Sequence, residues 1–264
     1  MRRVLYYTKV CKAYLRVGFV TLVQYPADTV IWILSMLLRE ASGFIGIITI
    51  ASVAGGLGNW GIYEICILFS ICAIIEAIGQ AFLDCVWSIS SAIRKGKLDV
   101  ILVRPASPFV QLLGQRIHFQ SVLSMLVYLG ILIYSMHQFG VKGNIGTILF
   151  LLETFFCGTV INTGLYTIFN SLNFWIVNGY DVAELILTCR EFAKYPLHVF
   201  PMMIRTFFTY MIPFGFMGYY PVAFLTGKTG SWVIWAMPLA ALGVACVASL
   251  IWRSGLRGYN STGT

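Results

Sequence analysis

The run TGKTG at residues 226–230 contains the glycine-lysine pair with which nucleotide-binding loops hold phosphate groups. The complete motif, G-x-x-x-x-G-K-[ST], needs a glycine five positions before Gly227, and that position is Val222. The run also follows an apolar segment, whereas a phosphate loop follows a strand. We therefore interpret it as a turn and not as a nucleotide-binding loop.

Histidines and cysteines are the other residue types that bind metals or act as bases and nucleophiles. His118, His137 and His198 are far apart, and neither H-E-x-x-H nor G-x-S-x-G occurs. The seven cysteines lie mostly in apolar runs without a C-x-x-C pair, which indicates small core residues. We predict no catalytic residue and no metal ligand.

Ionisable residues inside apolar segments are stronger candidates for function. Arg39, Glu40, Glu76, Asp84 and Glu153 all lie in such segments. Because a charge at the centre of a bilayer costs about 2.5–3.5 kcal/mol, each is expected to face protein or water. One interpretation is a polar surface along a transport path, and the other is a set of interhelical contacts such as Arg39 with Glu76. Arg39 and Glu40 are adjacent on one helix, so they point about 100° apart and cannot both face one partner.

The composition shows what kind of element must position these residues. Of the 264 residues, 59% are hydrophobic and 11% are charged, with a mean hydropathy of +0.83. Soluble domains are about one quarter charged, so this is the composition of a membrane protein. The net charge of +8 suits membrane topology better than nucleic-acid binding, because the basic residues alternate with apolar segments.

A membrane-spanning helix needs about 20 mostly apolar residues, and six segments qualify. The fold class we predict is an all-α polytopic membrane protein, with one transmembrane domain over residues 1–264. The six spans are predicted at 27–50, 62–88, 122–137 (extended at its start by 118–121), 145–169, 202–220 and 232–252.

Basic residues orient the spans. When the spans alternate sides, fifteen of the eighteen basic residues fall on one side, which the positive-inside rule assigns to the cytoplasm together with both termini. Only Lys142 and Lys228 fall on the other side, and Arg39 lies within the first span. The cytoplasmic set is Arg2, Arg3, Lys9, Lys12, Arg16, Arg94, Lys95, Lys97, Arg104, Arg116, Arg190, Lys194, Arg205, Arg253 and Arg257.

The remaining segments connect the spans. Residues 3–22 and 181–194 combine charges with apolar positions at helical spacing, which is typical of juxtamembrane or interfacial helices. Residues 213–231 are rich in Gly, Pro and aromatics, and indicate a bent helix end or a short re-entrant segment. The predicted divisions are an interfacial helix (1–26), spans one and two (27–92), a cytoplasmic loop (93–117), spans three and four (118–170), an inner connection (171–201), spans five and six (202–252) and a tail (253–264).

The loop at 93–117 carries five basic residues between apolar ones. Gly96 breaks the preceding helix, and Pro105 and Pro108 impose turns. The result is a compact amphipathic element suited to docking another protein.

The segment RKGKLDVILVRPASPFVQLL resembles the G-x-L-D-x-x-L-x-R-P-x-S-P signature of a bacterial ABC-2-type permease family. The runs GNWGIYEI, YPLHVFPMMIRTFFTYMIPFGFMGYYPVAFLTGK and WRSGLRGYNSTGT agree with the same family in the expected order. The resemblance covers nearly the whole chain. One departure is the charged pair Arg39 and Glu40 in the first span.

The resemblance implies a six-span subunit of an ATP-driven exporter in the bacterial inner membrane. A separate ATPase, expected in two copies, would bind ATP and Mg, and a second permease, identical or related, would complete the complex with membrane lipid around it. The loop would be the coupling element, through Arg94, Lys95, Gly96, Lys97, Leu98, Asp99, Arg104, Pro105 and Pro108. The alternative is a membrane scaffold or sensor that binds partners without transporting, and the sequence does not name a substrate.

Overall fold

The computed structural model describes residues 2–24, 26–53, 58–83, 85–105, 107–113, 118, 120–176 and 179–259, and all regular structure in these ranges is helical. The helices are α1 Arg2–Gln24, α2 Pro26–Val53, α3 Ile62–Leu83, α4 Cys85–Arg94, α5 Lys97–Leu102, α6 Pro108–Leu113, α7 Gln120–Phe139, α8 Ile145–Ser171, α9 Gly179–Arg190, α10 Met202–Thr206, α11 Tyr219–Leu225 and α12 Trp232–Arg257. Short 3₁₀ turns lie at Leu172–Phe174, Glu191–Lys194, Leu197–Val199 and Phe214–Met217, and a π-helical turn at Phe207–Met211.

Five stretches among the described residues are long and apolar enough to cross a membrane, so the chain is a multi-pass membrane protein. They correspond to the first four predicted spans and the last one. The fifth predicted span has no counterpart among them, and the total of six is not confirmed. The five stretches are Pro26–Gly46, Ile62–Arg94, Ser121–Phe139, Ile145–Phe174 and Trp232–Arg257.

Helix α3 is the centre of the bundle. It is apolar on all sides, as expected of a helix surrounded by others, and is buried along nearly its whole length. Its main neighbours are α7 and α8, and α12 packs on the other side of α8. Glu64 and Glu76 are the acidic residues that this central helix carries into the interior.

Helices α8 and α12 run in the same direction. Gly164 of α8 lies against Val244 of α12, and further along both chains Phe174 lies against Gly255. The shared C-terminal end of these helices also holds residues 94–113, and we call it the loop end. The opposite end, which holds Trp60 and the start of α12, is the far end. Because the two helices are parallel, the chain between them must return from the loop end to the far end.

Residues 179–200 make this return. Helix α9 packs against α8, and the carbonyl of Ala193 then lies 3.5 Å from Cys72 Sγ on α3. At the far end the imidazole of His198 packs beside Trp60, with 6.0 Å between ring centroids. The sequence led us to expect an inner connection at 171–201, but its second half lies inside the bundle, because α8 and α12 must be joined across it.

Residues 202–225, where a fifth spanning helix was expected, form a broken hairpin instead. Helix α10 and the π-helical turn are separated from α11 by Pro213 and Gly218, and proline cannot donate a helical hydrogen bond. The Thr209 and Tyr220 hydroxyls lie 2.9 Å apart and join the two limbs. The turn that follows returns to the far end, where Lys228 meets Glu64. The interruptions at Pro213 and Gly218 lie within 213–231, the segment for which the sequence predicts a bent helix end or a re-entrant segment.

Close approach of α8 and α12 generates a first prediction. A Cβ at Gly164 would lie 2.6 Å from Val244 Cγ1, and valine has little rotamer freedom on a helix, whereas nothing lies within 4 Å of a Cβ at Gly130 on α7. We expect Gly164→Ala to lower stability by about 1–3 kcal/mol through overpacking. Gly130→Ala should leave it unchanged or raise it by up to about 1 kcal/mol. Thermal unfolding in detergent measures both, and equal midpoints would contradict this packing.

Candidate functional site

The loop that the sequence singled out begins with a left-handed glycine. Gly96 has φ = +64°, a value that glycine adopts without strain, and the two-residue turn 95–96 separates α4 from α5. The amide of Gly96 donates to the Ile93 carbonyl (3.4 Å), and the amide of Asp99 donates to the Gly96 carbonyl (3.2 Å). A turn through Arg104 and Pro105 then leads to α6. The predicted turn positions are therefore where the structure bends.

One face of the loop is buried. Leu98 and Ile101 of α5 and Leu112 of α6 are inaccessible to solvent. The side-chain amide of Gln111 donates to the Ile101 carbonyl over 3.0 Å and ties α6 to α5. These residues belong to one packed cluster, which we call the loop cluster: Ile89, Ala92, Ile93, Leu98, Ile101, Leu112, Tyr166 and Trp252.

The other face of the loop is exposed and combines apolar with basic groups. Val103 is 87% exposed and Val100 is 59% exposed, on an element that the sequence predicts to lie outside the membrane. Asp99 is half-buried beside the tail residue Tyr259, whose pKa is raised by burial and then by this carboxylate. The exposed basic and proline positions around the valines are Arg94, Lys95, Lys97, Arg104 and Pro105; Pro108 is half-buried. Arg116 lies outside the described residues.

A buried polar network joins the loop end of α4 to the end of α8. The Ser90 hydroxyl donates to Asn170 Oδ1 over 2.6 Å, and Asn173 Nδ2 donates to the Ser90 hydroxyl over 2.8 Å. All three residues are buried. Sequence reasoning missed this network, since serine and asparagine in an apolar run do not show which partners they will meet.

Arg39 and two cations from the segment 181–194 converge on Glu76. Its carboxylate is buried on α3, with Arg190 Nη2 at 2.8 Å, Arg39 Nη2 at 3.4 Å and Lys194 Nζ at 3.5 Å. Glu191 lies beside two of these three cations, 2.9 Å from Lys194 and 3.5 Å from Arg190. We call these five residues the charge cluster. Three cationic partners offset the cost of removing one carboxylate from water.

The predicted contact between Arg39 and Glu76 is thus present. The sequence analysis did not predict the two other partners of Glu76: Arg190, which is closer than Arg39, and Lys194, which is more deeply buried. The sequence predicts a juxtamembrane or interfacial helix for Arg190 and Lys194, because charges and apolar positions are mixed there at helical spacing. Their alternation with apolar residues was the available signal for a helix packed in the bundle. Glu153 is half-buried on α8, and no described ion pair joins it to the charge cluster. Asp84 lies outside the described residues, and the side chain of Glu40 does too.

Tyr166 connects the charge cluster to the loop cluster. Its ring is part of the loop cluster, and its hydroxyl accepts a hydrogen bond from Arg190 Nη1. The guanidinium of Arg190 also lies 5.5 Å from the centre of the tyrosine ring. A continuous set of contacts therefore runs from the exposed loop to a buried carboxylate within the bundle.

The far end is closed by the turn that resembled a phosphate loop. Lys228 Nζ lies 2.8 Å from both carboxylate oxygens of Glu64 and 5.0 Å from the centre of the Trp60 ring. The amide of Gly61 donates to the same carboxylate over 2.8 Å. The run TGKTG therefore packs over the start of α3 as a turn.

The three histidines do not come together. His118 stacks on Trp32 with 6.0 Å between ring centroids, His198 packs on Trp60 and Tyr219, and His137 is exposed at the end of α7. Among the described residues no group of three or more His, Cys, Asp or Glu is placed to hold a metal ion.

Comparison with known proteins gives one family. The family model described as ABC-2 family transporter protein matches residues 37–263, and so covers the loop, the charge cluster and the far-end hairpin. No curated protein and no solved structure matches the chain.

The charge cluster generates a second prediction. Arg190→Met removes one of the three cations that balance the charge of Glu76. We therefore expect the free energy of unfolding to fall by about 3 kcal/mol, the lower end of the range for breaking a buried pair. The double variant Arg190→Met with Glu76→Gln removes both charges and should recover part of that loss. Thermal unfolding in detergent tests this with Arg205→Met, an exposed arginine on α10, as the control. Losses that simply add in the double variant would show that the two residues are not coupled.

Proposed function

The chain belongs to the ABC-2 family of transporter proteins, and from this premise we propose that it is the permease subunit of an ATP-driven exporter in a bacterial inner membrane. Membership makes it a membrane component of an ABC transporter that is not itself catalytic. The outward direction, the copy number and the coupling mechanism are the proposed part. The observation that carries the proposal is the continuous contact from an exposed loop to the buried charge cluster.

The loop is proposed as the ATPase contact. Its buried face fixes it to α4, α8 and α12, while Val100 and Val103 present an apolar surface flanked by Lys97 and Arg104. Exposed apolar residues rimmed by charges are typical of protein–protein contacts. Two ATPase subunits holding ATP and Mg would each meet one permease, and the second permease would be an identical or related chain.

The charge cluster is proposed as the element that changes its arrangement when the ATPase subunits move the loop. When the ATPase subunits close and displace the loop, the loop cluster must repack, because cores at this density do not deform continuously. Tyr166 lies in that core and bonds to Arg190, so its displacement changes how Arg190 meets Glu76. A path of packed and hydrogen-bonded groups with two arrangements is the physical requirement for coupling between sites.

The far end is proposed as the exit. In the described state Trp60 stacks on Tyr219 with 5.3 Å between ring centroids, and the Lys228–Glu64 pair closes the turn above α3. Alternating access requires that this end opens when the loop end closes, as a shift between two populated states. The hairpin 202–225 is the element that can move, since it is joined to the bundle through short, broken helices.

A scaffold or sensor function uses the same loop without transport, and ATP hydrolysis distinguishes the two. If the chain is a permease, the ATPase rate of the purified complex depends on a transported compound. If it is a scaffold, the rate is indifferent to every compound tested.

Docking at the loop gives a third prediction. Val103→Asp combined with Arg104→Glu reverses the character of an exposed surface, so the fold should persist while the ATPase is lost. Co-purification of the ATPase in mild detergent measures this, and we expect a loss of at least about tenfold. Lys142→Glu reverses the charge of an exposed side chain at the far end and is the matched control. Equal ATPase recovery from both variants would place the contact elsewhere.

Coupling through Tyr166 gives a fourth prediction. Tyr166→Phe keeps the ring in the loop cluster and removes the hydroxyl that bonds to Arg190. We expect ATPase binding and basal hydrolysis to persist. A fluorophore on Ser231→Cys, an exposed far-end position, should lose its response to a non-hydrolysable ATP analogue.

Tyr134→Phe, on the exposed face of α7, controls for loss of any hydroxyl and should keep the fluorescence response. Glu76→Gln acts at the next contact and should reproduce the Tyr166→Phe result. A full response in Tyr166→Phe would mean that the motion reaches the far end by another route.

A further inference from the structure

A groove of about 530 Å³ lies at the loop end between α8, α12 and the start of α6. Small residues form part of its lining, Gly164 on α8 with Ala245 and Ala248 on α12. Trp252 and Arg253 line it near the end of α12. The volume falls within the range of small-molecule sites in proteins, and the lining is predominantly apolar.

The dimensions of the groove suit one lipid chain. From Ala245 to Arg253 its lining on α12 spans about 12 Å, at 1.5 Å per residue. The hydrocarbon core of a bilayer is about 30 Å thick, so one leaflet provides about 15 Å. The groove therefore has about the length that an extended acyl chain in one leaflet needs.

The charge of the groove selects a headgroup. Arg253 is exposed at its rim and lies next to Trp252, the residue type that sits at the headgroup level. The basic residues of the chain assign the loop end to the cytoplasmic leaflet, where anionic lipids attract arginine by about 1 kcal/mol per basic residue. The hydroxyl-bearing residues Ser107 and Ser249 also line the groove.

We propose that this groove binds an anionic phospholipid of the cytoplasmic leaflet, with one acyl chain on the small residues of α8 and α12 and the phosphate at Arg253. The site goes beyond the proposed export function and does not depend on it. Phe109 lines the same groove and packs edge-on against Trp252, with 5.9 Å between ring centroids. A bound acyl chain would therefore contact Phe109 of α6 and Trp252, which belongs to the loop cluster.

The test uses the purified full chain alone, so failure of the ATPase or export proposals does not affect it. Phosphatidylglycerol and phosphatidylcholine with the same acyl chains are titrated separately, and bound lipid is measured by native mass spectrometry. We expect phosphatidylglycerol to bind about fivefold more tightly, a factor that corresponds to one favourable arginine contact. Arg253→Gln should abolish that preference. Arg257→Gln, one turn further along α12 and outside the groove lining, should keep it.

Filling the groove tests the acyl chain separately. Ala245 is half-exposed in the groove wall, so Ala245→Phe should weaken binding of both lipids without removing the headgroup preference. Equal affinity for the two lipids, or equal losses in Arg253→Gln and Arg257→Gln, would overturn the proposal. Competition by glycerol phosphate alone would overturn it in favour of a soluble anion. A disulfide between two chains carrying Ser249→Cys would overturn it in favour of a second copy.

Discussion

The structure depends on how one buried carboxylate is compensated. Glu76 lies on the central helix, where an uncompensated charge would oppose folding by several kcal/mol. The three cations that approach it come from two separate parts of the chain, with Arg39 on α2 and Arg190 and Lys194 around the end of α9. These contacts hold the returning segment 179–200 against α3, and they do so at one depth in the bundle.

The consequences for the fold follow from that position. A segment held against α3 by short polar contacts cannot also be a uniformly apolar span, and it carries 3₁₀ turns where it passes Lys194 and His198. The apolar stretch that follows has no return to make, because the chain has already reached the far end. It folds back on itself as the hairpin 202–225, with Pro213 and Gly218 at the interruptions.

The loop end brings together three features on the last turns of α8. Tyr166 joins the charge cluster to the loop cluster, Asn170 joins α8 to α4, and Gly164 with Thr167 forms one wall of the groove. A displacement of the loop, the loss of a lipid chain and a change at Glu76 would therefore act on the same short stretch of helix. Under the proposed function, this stretch is where ATPase closure at the loop would be coupled to the membrane helices.

The sequence alone determined the family, the membrane class, five of the spans and the bends of the loop. The family follows from the motif of the loop, and the rest follows from local properties: apolar length, the helix break at Gly96 and the turns at proline. It also placed Arg39 near Glu76, since an intramembrane charge requires an opposite one. Only the tertiary structure decided that residues 179–200 return across the bundle, that Arg190 and Lys194 meet Glu76, and that Tyr166 joins two clusters. Those facts depend on the parallel packing of α8 and α12, which is a relation between distant segments, and hydropathy along one segment carries no information about it.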